Sequence, residues 1–162
     1  MKKILCLIFP FLLFCGCADQ SRNIKPVTKG LSFNAEINYY NEYYECNVNI
    51  AKNGDTEISF TCPKELNGLK IVYSANNTTV DYNGLKYELD SSLPQYSVTD
   101  IIKKVFSSEY DTVYTKDDCY YVENKELDCK MYIGSTGLPI KIESDAKFNA
   151  IIKNSTLKEK EP

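Results

Sequence analysis

From Ser32 onward the chain is dominated by alternation of apolar and polar residues with a period of two, the mark of strands that bury one face. Phe33, Ala35, Ile37 and Tyr39 alternate with Asn34, Glu36 and Asn38. After Tyr40-Asn41-Glu42, residues 44–51 place Tyr44, Cys46, Val48 and Ile50 on one face. Beyond Asn53-Gly54, Thr56, Ile58, Phe60 and Cys62 do the same, which predicts a hairpin closed by Pro63. Short strands follow at 69–73, 79–82 and 85–89, the last two joined across Asn83-Gly84. The period then changes. Ser97-Val98-Thr99-Asp100 has the form of a capping box, and Val98, Ile101, Ile102, Val105 and Phe106 share one helical face, so a helix is expected over about 97–108. Strands near 111–116, 118–123, 127–133, 138–145 and 147–153 complete a set of about eleven.

This pattern is mainly β (α+β). Antiparallel strands with one apolar face each form a large curved sheet, and the amphipathic helix has that face to cover, which gives a half-open barrel with one or two helices. A helix of 12 residues is only about 18 Å long and is too short to cover it all. The apolar concave face, carried by Phe33, Ile37, Ile58, Phe60, Ile71, Tyr73, Val80 and Tyr82, is therefore expected to serve as a ligand or partner groove as well as core.

The N-terminus follows different rules. Met1-Lys2-Lys3, an apolar run from Ile4 to Phe14, and Cys15-Gly16-Cys17 before polar residues form a secretory signal. The run is shorter than the roughly 20 residues a spanning helix needs, and Pro10 interrupts it. Gly16-Cys17 resembles the lipobox of bacterial lipoproteins, in which the cysteine is acylated and becomes the new N-terminus. Phe14 and Cys15 depart from the leucine and small residue usual there. The organisation expected is a signal peptide at 1–16, a tether at 17–31 anchored in membrane lipid through Cys17, a folded domain at 32–154 and a charged tail at 155–162. The location implied is the extracytoplasmic face of a bacterial cell membrane. Two acyl chains hold a protein on a bilayer far more durably than one.

Removing residues 1–16 leaves 146 residues, the size of one domain, with 17 basic residues against 22 acidic ones. A net acidic chain without a basic patch excludes nucleic acid as a partner. There are 13 tyrosines but no histidine, so the commonest general base and metal ligand is missing. No phosphate-binding glycine loop is present. No cofactor is expected and no enzymatic activity.

Seven cysteines become four once Cys6 and Cys15 leave with the signal and Cys17 is acylated: Cys46, Cys62, Cys119 and Cys129. An even number in an exported chain suggests disulfides, for which three connectivities exist. A three-residue loop of Asn53, Gly54 and Asp55 would set Lys52 opposite Thr56 and Cys46 opposite Cys62. A turn at 123–125 would set Val122 opposite Glu126 and Cys119 opposite Cys129. Four free thiols are the alternative. Zinc is disfavoured by the spacing and the lack of histidine.

Two further groups carry weaker signals. Tyr39-Tyr40 and Tyr43-Tyr44 could form a carbohydrate or peptide platform, though such tyrosines more often pack a hairpin. Glu36, Glu42, Glu45 and Glu57 could supply paired carboxylates for glycoside hydrolysis, yet they fall at the polar phase of their strands, as on a solvated face. Asn76-Asn77-Thr78-Thr79 and Asn154-Ser155-Thr156 fit glycosylation sequons, for which a bacterial lipoprotein has no use.

Three patterns in order, Pro63-Lys64-Glu65-Leu66-Asn67-Gly68-Leu69, Thr79-Val80-Asp81-Tyr82-Asn83-Gly84-Leu85 and Thr136-Gly137-Leu138-Pro139-Ile140-Lys141-Ile142, resemble the LolA-like family. That family includes lipoprotein carriers, sigma-factor regulators of the RseB type and clostridial germination lipoproteins of the GerS type. The resemblance spans residues 32–153 and implies an eleven-stranded half-barrel whose concave face packs on helices and receives an acyl chain or a partner. Carriers shuttle, whereas Cys17 would fix this chain in place, so it implies a tethered protein that binds a cell-envelope partner and regulates it. A lipid or lipoprotein carrier or receptor is the alternative.

Overall fold

A computed structural model of the chain describes residues 24–89, 93–94, 97–116, 119–145 and 147–158. Eleven strands form one antiparallel sheet: β1 (Leu31–Tyr39), β2 (Glu42–Ile50), β3 (Thr56–Cys62), β4 (Leu69–Tyr73), β5 (Thr78–Tyr82), β6 (Leu85–Leu89), β7 (Tyr114–Lys116), β8 (Cys119–Asn124), β9 (Cys129–Ile133), β10 (Pro139–Ser144) and β11 (Phe148–Leu157). Their order across the sheet is β6-β5-β4-β3-β2-β1-β11-β10-β9-β8-β7. The first and last strands thus meet at the centre, where β1 pairs with β11, and the sheet grows outward as two wings.

This order dictates the path of the helix. β6 and β7 are the outer edges of opposite wings, and the connection between them carries α1 (Val98–Ser107). The helix lies across the concave face, touching β4 through Thr99, β1 through Phe106 and the end of β8 through Ser108 beyond its last turn. Ser97 caps it as the sequence predicts, its hydroxyl accepting from the Asp100 N–H at 3.2 Å. Val98, Ile101, Ile102, Val105 and Phe106 are all buried. Together with Leu31, Phe33, Ile37, Val48, Ile58, Met131, Ile142 and Phe148 they fill the trough as one core. Each such side chain contributes roughly 1.5–3 kcal/mol by leaving water.

Turn chemistry sets the registers. Tyr40 and Asn41 both have positive φ, as do Asn83 and Gly84, and each pair makes the two-residue turn whose twist suits a hairpin. The β2–β3 loop is longer than expected. Asn53 accepts from the Asp55 N–H with its side chain, and Ala51 bonds to the Asp55 carbonyl, so residues 51–55 form the loop and Ile50 faces Thr56. Pairing is displaced by two residues from the expected register, which keeps Cys46, Val48, Ile50, Thr56, Ile58 and Phe60 on their predicted face, whereas Cys62, beyond a bulge, pairs with Glu45.

The domain is wider than its predicted bounds. Ile24 is buried, and the Val27 N–H donates to the Gly137 carbonyl at 2.9 Å, so residues 24–30 dock on the sheet and do not belong to the tether. At the other end β11 runs to Leu157, past the expected limit at 154, and the Lys158 N–H donates to the Gly30 carbonyl at 2.8 Å.

Candidate functional site

The concave face divides into a filled trough and an open shelf. Of the eight residues expected to line a groove, Phe33, Ile37, Ile58, Phe60, Ile71 and Tyr73 are buried under the helix and its neighbours and are core. The reason is specific packing. The Phe106 ring sits 5.1 Å from that of Phe33, and the Tyr73 hydroxyl donates to the Thr99 hydroxyl at 2.8 Å, both out of solvent. The helix is also fixed beyond its C-terminal end, where Asn124 donates to Ser108 at 2.8 Å and the Tyr110 hydroxyl donates to the Val105 carbonyl at 2.7 Å. Bolted near both ends, it is part of the core.

Val80 and Tyr82 behave differently. Val80 is half-buried against the core and Tyr82 is 41% exposed. Register continues their row outward: Tyr82 faces Leu85, Val80 faces Tyr87 and Thr78 faces Leu89. All six side chains point to the concave side, because Val80 faces the buried Ile71 and Thr78 faces the buried Tyr73. Leu85 and Tyr87 are each 62% exposed. With Leu69 they form an apolar shelf past the reach of α1, which starts over β4. Leu85, Tyr87 and Leu89 were absent from the expected groove. The two-residue turn at Asn83-Gly84 would have placed them there, since it sets Leu85 opposite Tyr82.

The shelf is built by two of the three sequence patterns singled out above. Gly68, at φ +89°, packs against the Asn83 side chain where any Cβ would clash, and the Tyr82 hydroxyl donates to the Glu65 carbonyl at 3.2 Å. The third pattern acts elsewhere, with Gly137 receiving the N-terminal segment. A cleft of about 820 Å3 lies between that segment and the chain leaving α1. Its size suits a small ligand, but Lys25, Lys29, Glu109 and Asp111 line it with both signs of charge, unlike the mainly apolar walls of most ligand pockets.

The cysteines do not meet as expected. Cys46 faces Phe60, while Cys62 faces Glu45 across a bulge. Cys129 faces Asn124, and Cys119 faces Lys116 of β7. All four are free. The four-residue loop at 125–128, closed by the Leu127 N–H donating to the Asn124 side chain, replaces the turn expected at 123–125. Burial pushes the Cys46 thiol up to about 12, and burial followed by the nearby Asp128 charge does the same to Cys129. Cys17 and the signal peptide lie outside the described residues.

The other groups have structural explanations. Tyr39 packs on Tyr40 and Phe148, and Tyr44 on Phe60, so these tyrosines hold the β1–β2 hairpin to the core. Glu36 and Glu45 face each other on the convex side, where Glu36 pairs with Lys153 and Glu45 accepts from the Tyr43 hydroxyl at 2.7 Å. Glu57 pairs with Lys70 at 3.3 Å.

These features define a class: a half-barrel with a helix-filled trough and one uncovered apolar wing. No protein family profile and no curated protein matches the chain. Among solved structures it is similar to an uncharacterized conserved protein from Thermus thermophilus, with 8% identity over 83% of this chain and 82% of that one and a TM-score of 0.52. It is also similar to the LolA superfamily protein NE2245 from Nitrosomonas europaea (13% identity, 85% and 90% coverage, TM-score 0.47) and to a DUF1329 family protein from Desulfovibrio piger (14%, 80% and 86%, 0.40). At 8% identity, what the chain has in common with the Thermus thermophilus protein is the fold alone. The eleven-stranded open sheet around a helix is the architecture that the motif resemblance implied.

Proposed function

We propose that this chain is a non-catalytic binding lipoprotein, held on the outer face of a bacterial cell membrane through acylated Cys17, and that the β4–β6 shelf receives an apolar segment of a cell-envelope partner. The observation that carries this reading is the run of Tyr82, Leu85 and Tyr87 left open on an otherwise filled concave face. Exposed apolar patches of this kind mark binding surfaces, and aromatic side chains supply much of the energy of such contacts. An acyl chain needs more enclosure, since ligand sites commonly bury 70–90% of what they hold. Here the helix occupies the space where an enclosed chain would lie. A partner brings its own cover and suits an open shelf. The motif resemblance to the tethered, enzyme-regulating members of the LolA-like family adds that the partner is an envelope enzyme. The carrier reading stands second, on the same resemblance.

Tyr82→Glu tests the shelf and Tyr82→Phe controls for the hydroxyl. Tyr82→Glu should leave the melting temperature within about 3 °C of the parent, because surface changes are usually within ±0.5 kcal/mol. It should also abolish cross-linking to the partner in native membranes, while Tyr82→Phe retains it. Unchanged cross-linking by Tyr82→Glu refutes the shelf, and lipid retained by the parent in native mass spectrometry moves the assignment to a carrier. Cys17→Ala tests the anchor separately: the protein should leave the membrane fraction.

A further inference from the structure

We propose that β6 is a self-association edge, at which two copies pair their β6 strands antiparallel about Tyr87 and continue one sheet across a two-fold axis. β6 ends the sheet, with β5 on its only paired side among the described residues. Its five residues read Leu-Lys-Tyr-Glu-Leu, which is self-complementary under an antiparallel two-fold. Pairing about Tyr87 sets Lys86 opposite Glu88 of the second copy, and Glu88 opposite its Lys86. Leu85 then meets Leu89 on the concave side, and the two Tyr87 rings are neighbours. Opposite charges directly across a strand pair are favourable, and so are aromatic and aliphatic pairs.

The backbone agrees with the side chains. The two-residue turn closes on the Tyr82–Leu85 pair, so bonded pairs recur at Val80–Tyr87 and Thr78–Leu89. The N–H and C=O groups of Lys86 and Glu88 are therefore the ones left on the open edge, and these are the residues a two-fold about Tyr87 brings face to face. Tyr87 falls at the non-bonded site, where opposed side chains approach most closely. A charged edge strand usually blocks pairing. That protection fails when the charges on either side of the centre are opposite, as here. Lys86 is free to reach across, its side chain 71% exposed and its contact with Asp81 stretched to 4.0 Å. The other edge, β7, has three residues and no such symmetry. In the pair the two shelves adjoin as one trough, which extends the proposed binding surface, although association itself does not rest on that reading.

Five paired residues a side make a small interface, so association should be weak and needs a concentration series from about 10 µM to 1 mM. The experiment is sedimentation velocity of the full chain in nonionic detergent, without partner, expecting a mass that rises from one chain to two. Lys86→Glu and Glu88→Lys each oppose like charges twice in the pair and should each weaken self-association about tenfold or more; Glu88→Lys, which faces Thr79 within the chain, leaves the melting temperature unchanged, and Lys86→Glu, which faces Asp81, lowers it slightly. An equimolar mixture of the two variants should associate again, because their edges are then complementary. A wild-type mass of one chain throughout overturns the proposal. So do single variants that associate like the wild type, as chains merely sharing a micelle would, and so does a mixture that stays dissociated.

Discussion

Phe106→Ala distinguishes a helix that is core from one that is a lid. Phe106 is 1% exposed and its ring lies tilted against that of Phe33 on the central strand, centroids 5.1 Å apart, with Val105 and Ile102 buried beside it. Truncating a buried phenylalanine costs about 3–5 kcal/mol through lost transfer energy and the cavity left behind. For a domain between the small and medium size classes, each kcal/mol lowers the melting temperature by about 3–5 °C, so a fall of about 9–25 °C is expected. Urea unfolding followed by far-ultraviolet circular dichroism should show a lower midpoint with an unchanged slope, since the surface exposed on unfolding is nearly the same. A cycle with Phe33→Leu should recover a coupling of about 0.5–1.5 kcal/mol for the ring pair. A melting temperature within about 3 °C of the parent would refute the reasoning. The helix would then be a removable cover, and the trough beneath it a site for an acyl chain.

Thiol labelling should follow burial: Cys119, exposed on β8, reacts in the native state, while Cys46 and Cys129 react only on unfolding. With both buried thiols raised from an ordinary value of 9.0 to about 12, the unfolded chain releases protons that the native one keeps, so stability is full below pH 9 and falls as pH rises toward 12. Alkaline melting curves check this, and a flat profile over that range contradicts it. Gly137→Ala should destabilise by more than the roughly 1–2 kcal/mol of a left-handed residue, because its φ is +81° and a Cβ would also overlap the Lys25 carbonyl. Hydrogen exchange should locate the damage at residues 24–28.

The strands and the helix were legible because each rests on a local signal, period-two burial or a cap followed by a 3.6-residue face, and burial follows both. The cysteine partners were not legible, because they depend on loop length. In the first hairpin the Asn53 and Asp55 contacts lengthen the loop, moving the pairing by two residues and adding a bulge between Glu45 and Cys46. A shift of two preserves faces, so Cys46, Val48, Ile58 and Phe60 are buried as predicted while Cys46 meets Phe60 instead of Cys62. In the second, four loop residues replace three and Val122 faces Met131. Patterning decides which side chains are inside; turn chemistry decides which of them touch.

The same distinction locates the proposed binding surface. Helix length alone implied apolar area left uncovered, but length cannot say where. Topology can, because a helix that joins the two outer edges of a sheet must cross the trough, and where it enters decides which wing it leaves open. Here Thr99, in the first turn, already lies on Tyr73 of β4, so β5 and β6 fall outside its path. Tyr82, Leu85 and Tyr87 are consequently apolar residues that the fold orients inward and then leaves bare. Tyr87→Ser would remove much of that apolar surface, and with the residue 62% exposed the cost to folding should stay near ±0.5 kcal/mol. If Tyr87→Ser instead lowered stability by about 2 kcal/mol or more, the ring would be packed against the domain and no shelf would exist. Urea titration of the two proteins decides between these outcomes.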